Sequence, residues 1–152
     1  MPYIALTINP MPTQEQADTL ARGITAALAE EAGKRREVTA VRISGSEAAL
    51  LWTIGGEPCD KPTAYLDVKV TQGSNSRDEK ARLIARLQRL LVETLGELAE
   101  ASYIVIHELP AENWGYAGLT QAARAGFRGV DQPDALDYAA PHPGYASGEL
   151  PA

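Results

Sequence analysis

The chain has 152 residues, 14 basic and 20 acidic side chains and a formal charge of −6; the length argues for one domain, and the acidic balance gives no diffuse attraction for phosphate backbones or anionic lipid. At 45% hydrophobic and 22% charged it has the apolar material for a core and is not a disordered chain, since a domain of this size buries about 68–70% of its unfolded surface. The single Cys59 excludes an internal disulfide and His107 and His142 lack metal-ligand spacing, so with no signal-like start and no apolar run of about 18 residues the expectation is a reduced, cytoplasmic protein that engages neither nucleic acid nor membrane.

Chain order reveals a repeat. Ile4, Leu6 and Ile8 alternate as in a half-buried strand. Thr13 and Gln16 then make a capping box, and Ala17, Leu20, Ala21, Ile24, Ala27 and Leu28 form a helical stripe that stops at Gly33. Val41-Arg42-Ile43 reads as a second strand, followed by a tryptophan-led glycine turn, Trp52-Thr53-Ile54-Gly55-Gly56. The same order then recurs: a strand with Leu66, Val68 and Val70, a Ser76/Glu79 capping box, a stripe of Leu83, Ile84, Leu87, Leu90, Leu91 and Leu98, a strand Ile104-Val105-Ile106, and the turn Trp114-Gly115-Tyr116-Ala117-Gly118. The offset is 62 at the first strands and 63 at the caps, the helical stripes and the second strands.

A strand, a crossover helix and a strand in one unit are parallel and right-handed, so two tandem βαβ units predict an α/β protein with a four-stranded sheet and both helices on one face. Residues 1–56 are the first unit, 57–62 (Glu-Pro-Cys-Asp-Lys-Pro) a linker, 63–126 the second unit, and 127–152, with four of the ten prolines and no periodicity, an irregular tail. A ferredoxin-like ligand-binding module has the same element order and stays open on the residues alone.

The Met1-Pro2 start, the run Val38-Thr39-Ala40-Val41-Arg42-Ile43 and the aromatic-glycine turn closing each unit resemble the tautomerase superfamily, whose founding member is 4-oxalocrotonate tautomerase. The resemblance runs from Pro2 to about Gly118. It implies a cofactor-independent isomerase that interconverts enol and keto forms of small anionic 2-keto acids, with hydration or dehalogenation of unsaturated acids as the alternative within the superfamily. A neutral N-terminal amine can take a proton from an enol hydroxyl or carbon and return it elsewhere, and a pocket that desolvates the amine or sets a cation beside it keeps it neutral. Pro2 is accordingly the expected catalytic acid and base, once Met1 is removed, and Arg42 the clamp for carboxylate and enolate oxygens. The counterpart of Arg42 in the second unit is read as Tyr103.

Trp114 is the expected apolar wall of the substrate site, contributed in the family by a partner unit. The turn after the first strand carries a substrate-binding arginine in the tautomerase; here Asn9-Pro10-Met11-Pro12-Thr13 has no cation, and in the second unit Asn75 and Arg77 at the start of the helix are the substrate-binding candidates. The paired turn arginines of the dehalogenase and decarboxylase are also missing, which speaks against those two activities. Only the first unit begins with a free terminus, so one proline-dependent site per chain is expected. The sheet face opposite the helices, with Ala5, Thr7, Asp67 and Lys69, is left uncovered, and the family's two-unit chains imply a homotrimer in which the tail, through Leu136, Tyr138 and Tyr145, anchors on a neighbour.

Overall fold

A computed structural model describes residues 1–46 and 52–127. The described residues fall into two units, one up to Leu109 and one from Pro110. In the first, β1 (Tyr3–Asn9), α1 (Gln14–Ala32) and β2 (Ala40–Gly45) form one βαβ copy, and β5 (Thr63–Thr71), α2 (Arg77–Leu95) and β6 (Tyr103–Leu109) the other. Between them β3 (Thr53–Ile54) and β4 (Glu57–Pro58) pair as a hairpin, so the first two residues read as linker belong to that hairpin. The unit from Pro110 holds a second hairpin, β7 (Gly115–Tyr116) with β8 (Leu119–Thr120), and α3 (Gln121–Phe127). The proposed tail anchors Leu136, Tyr138 and Tyr145 lie outside the described residues.

The four long strands make one sheet in the order β2-β1-β5-β6. Within each copy the strands are parallel, as crossover helices require, and the two copies join antiparallel through β1 and β5. Alternation fixes the faces. Ile4, Leu6, Ile8, Leu66, Val68 and Val70 are buried beneath Leu20, Ile24 and Leu28 of α1 and Leu83, Leu87 and Leu91 of α2. Burying each such aliphatic side chain stabilises the fold by about 1.5–3 kcal/mol. Gly23 sets how closely the helices approach, because a Cβ there would lie 2.6 Å from the methyl carbons of Leu90.

Both capping boxes are formed. Gln16 N–H donates to Thr13 Oγ1 at 3.1 Å and Thr13 N–H to Gln16 Oε1 at 2.9 Å; the Ser76/Glu79 pair repeats this at 3.2 and 2.7 Å. Gly33 ends α1 in the left-handed region, at φ 62°. Two residues of the second stripe differ from expectation. Ile84 is 39% exposed, because it lies one position, about a quarter turn, away from the Leu83–Leu87–Leu91 row. Leu98 is buried but lies past Gly96, where α2 has ended.

Candidate functional site

The antiparallel joint decides which candidates meet. Tyr3 of β1 pairs with Lys69 of β5 and with Ala40 of β2, so one edge of the sheet carries the start of β1 with Pro2, the start of β2, the end of β5 and the end of β6. Pro2 is buried there and its carbonyl accepts from Ala40 N–H at 3.4 Å. The turn from Gln72 to Ser76 opens at the same edge and leads into α2, which begins with Arg77. Thus Pro2 and the second copy's turn, 70 residues apart in sequence, share one end of the fold.

Asn75 and Arg77 differ in freedom. The Asn75 side-chain amide donates to the Ala32 carbonyl at 3.0 Å and to Glu79 Oε2 at 3.4 Å, tying the turn to the end of α1. Arg77 is exposed and makes no ion pair among the described residues. The sequence reading missed Lys34, whose Nζ donates to Ser74 Oγ at 2.8 Å. Burial pushes the Lys34 ammonium down from its ordinary range, with Glu79 and Glu108 acting the other way. Lys80 holds Glu108 at 3.0 Å, and that hydrogen bond first, with the Gly73 N–H also contributing, keeps the Glu108 carboxyl below the usual range. A lone lysine after a helix-ending glycine carries no sequence signal for this partnership.

Arg42 sits elsewhere. In register it pairs with Ala5, three residues beyond Pro2, on the face that the helices leave uncovered, while its neighbours Val41 and Ile43 pack on the core. It is exposed and without an ion pair among the described residues. Within one chain Arg42 and Pro2 therefore lie on opposite faces of the sheet. The register also corrects the repeat: Ala5 corresponds to Asp67, which pairs with Val105, so Val105 and not Tyr103 stands in the place of Arg42. Tyr103 corresponds to Ala40; the 63-residue offset between Val41-Arg42-Ile43 and Ile104-Val105-Ile106 sets Arg42 against Val105 as well, so sequence spacing and strand register agree against Tyr103.

At the opposite sheet edge the same geometry recurs without the chemistry. Ala64 stands where Pro2 does in the first copy, and its nitrogen is an ordinary peptide N–H donating to Ser102 Oγ at 3.1 Å. A cavity of about 480 Å³ opens near it, between the β3–β4 hairpin and the start of β6, lined among others by Ile54, Pro58, Cys59 and Tyr103.

Trp114 belongs to the unit from Pro110 and is half-buried on a shallow cavity of about 320 Å³ with Tyr116, Leu119 and Thr120. Both hairpins turn through two residues of positive φ, Gly55 and Gly56 (64° and 84°) in one and Ala117 and Gly118 (49° and 75°) in the other. This is the turn that suits the twist of a two-residue hairpin. Gly115 is needed for a different reason, since a Cβ there would overlap the Leu119 carbonyl.

The comparisons agree with this geometry. Residues 65–124 match the family model described as "Tautomerase enzyme", which is the second copy with its hairpin. Probable tautomerase K2 of Dickeya dadantii (strain 3937) is 32% identical over 60 residues, covering 40% of this chain and 90% of the relative. The 2-hydroxymuconate tautomerase of Comamonas testosteroni is 38% identical over 45 residues, 30% and 71% of the two chains. Among solved structures, a fused 4-OT wild-type symmetric trimer superposes with a TM-score of 0.72 at 21% identity, over 80% of this chain and 98% of the other, a likeness of fold. With the doubled βαβ sheet, the two tryptophan-led hairpins and these matches, the chain belongs to the tautomerase superfamily.

Proposed function

We propose that the protein is a cofactor-independent isomerase that interconverts the enol and keto forms of small 2-keto acids, with the Pro2 nitrogen as the proton-transfer group. The observation that carries this reading is the placement of a buried Pro2 at the start of β1, on the sheet edge that also holds Lys34, Arg77 and the Ser74–Ser76 turn. In the sequence as it stands the Pro2 nitrogen is acylated by Met1, so the reading requires loss of Met1. The freed secondary amine is intrinsically more basic than a primary one; burial and nearby cations both favour its neutral form and offset that basicity.

In the proposed cycle neutral Pro2 takes the enol hydroxyl proton and returns it to the substrate carbon. Charge that builds on the oxygen is met by a guanidinium, the role assigned to Arg42. Because Arg42 leaves its own chain's sheet on the face away from Pro2, it serves a proline of a neighbouring copy, and Trp114 is assigned as an apolar wall that excludes water. Lys34 and Arg77 supply positive potential in the turn where the first copy has no cation. The relative named a 2-hydroxymuconate tautomerase suggests 2-hydroxymuconate as the first substrate to assay.

The test is ultraviolet spectroscopy of enol decay with protein whose terminus has been proven by mass measurement. Pro2→Ala is expected to lose most turnover, with a residue left by the new primary amine. An undiminished rate in that variant contradicts proton transfer by the ring nitrogen.

A further inference from the structure

We propose that the unit from Pro110 carries a carboxylate-binding site built from the Trp114 indole N–H, the Gln121 side-chain amide and the Arg124 guanidinium. All three nitrogens, Trp114 Nε1, Gln121 Nε2 and Arg124 Nε, are buried and have no hydrogen-bond partner among the described residues, and all three are donors. Buried polar groups are almost always paired, so three unpaired donors and no unpaired acceptor in a stretch of eleven residues require an acceptor supplied from outside the stretch.

Strand geometry sets the donors on one side. Gly115 pairs with Thr120 and Tyr116 with Leu119; one step further along that register Gln121 N–H donates to the Trp114 carbonyl at 2.9 Å. Residues directly opposite share a face, as do residues two apart, so Trp114, Tyr116 and Gln121 project to the same side of the hairpin. Arg124 joins them there. It follows Gln121 by three positions in α3, its guanidinium carbon lies 3.7 Å from the centre of the Tyr116 ring, and its Nη2 donates to the Tyr116 carbonyl at 2.8 Å.

Charge selects the ligand class. Arg124 has no carboxylate partner among the described residues, and Gln121 is only 8% exposed. A half-buried cation flanked by two neutral donors is completed by a planar anion whose two oxygens can accept several N–H groups together, which is a carboxylate. The site concerns residues 114–124 alone and stands whether or not Pro2 transfers protons.

The experiment uses the full-length ¹⁵N-labelled chain with Trp52→Phe, which leaves Trp114 as the one indole signal, titrated with sodium pyruvate. The expected result is a saturable downfield shift of the Trp114 indole proton, absent with the neutral analogue pyruvamide and with sodium chloride. Arg124→Met should weaken pyruvate binding at least about tenfold, the usual loss for a charge-assisted hydrogen bond. The comparison of pyruvate with pyruvamide uses an unaltered site and so decides the matter even if that variant fails to fold. No shift up to the solubility limit overturns the proposal. So does an equal shift with chloride, or an indole proton already protected from solvent exchange and unresponsive to pyruvate, which would mean that the chain or a second copy supplies the acceptor.

Discussion

Arg42 shows how one side chain separates chemistry from packing. It is exposed on the uncovered sheet face and forms no ion pair among the described residues, so Arg42→Ala should leave the melting temperature nearly unchanged. Turnover should fall by about 10²–10³, the range found when one oxyanion donor is removed. Kinetics and thermal melts on the same preparation check this, and an unfolded variant would assign the arginine to the structure instead. Arg77→Ala should cost less, because the second copy's turn retains Lys34 beside it. Ala117 poses the converse question, since its φ of 49° places a Cβ-bearing residue where the first copy has Gly55. A left-handed L-residue costs about 1–2 kcal/mol, and glycine returns about 0.5–1 of that as unfolded-state entropy. Ala117→Gly should therefore stabilise the hairpin by at most about 1.5 kcal/mol, seen as slower exchange of the Gln121 and Ala122 amides.

At the scale of elements, the helices carry local and cross-helix devices that respond differently to change. Thr13→Ala removes one side of a complete capping box and should cost about 1 kcal/mol in denaturant unfolding. Between the helices, Arg86 reaches Glu30 at 2.6 Å and Glu31 at 3.1 Å. The hydrogen bond from Arg86, and then its charge, hold the Glu30 carboxyl below its ordinary range. A depressed carboxyl stabilises the fold above its unfolded pKa, and that contribution disappears as pH falls through the folded one. Arg86→Met should thus lower the melting temperature slightly at neutral pH, and the gap from the native chain should close in the acid range below ordinary glutamate titration. A gap that stays constant with pH would refute the ion pair's role.

These elements were largely legible in the sequence, because caps, alternation and helical stripes are local signals. Thr13, Ser76, Gly33 and the buried rows of both helices sit where the pattern put them. What the pattern did not carry was pairing across distance. The Asn75 amide is committed to Ala32, 43 residues away, and Lys34 to Ser74, 40 residues away. Gln121 and Arg124 carried no signal because a seven-residue helix has too few turns for a periodicity, whereas Val105 as the counterpart of Arg42 follows from the 63-residue offset as well as from the strand register.

For the whole molecule, the uncovered sheet face is the surface to account for. It presents Tyr65 and Tyr103, 39% and 61% exposed, around a charged centre in which Lys69 lies 2.7 Å from Asp67 and His107 Nε2 lies 3.1 Å from the other Asp67 oxygen. We propose that this face closes a homotrimer, because the proposed role of Arg42, which leaves the sheet on the face away from Pro2, requires a neighbouring copy. Tyr65→Glu, which sets an unpaired charge on that face, should yield a folded species of lower mass by light scattering, with activity lost in step with assembly. A monomeric native chain with full activity would refute it.

The account rests most heavily on the nitrogen of Pro2. The direct measurement compares two preparations of the same chain, one beginning at Pro2 and one with Met1 proven by mass to remain, in the enol-to-keto conversion of 2-hydroxymuconate across pH. The account predicts turnover only in the first, with a rate that rises as an amine more acidic than an ordinary terminal amine loses its proton. Equal turnover in the chain that retains Met1 would contradict it.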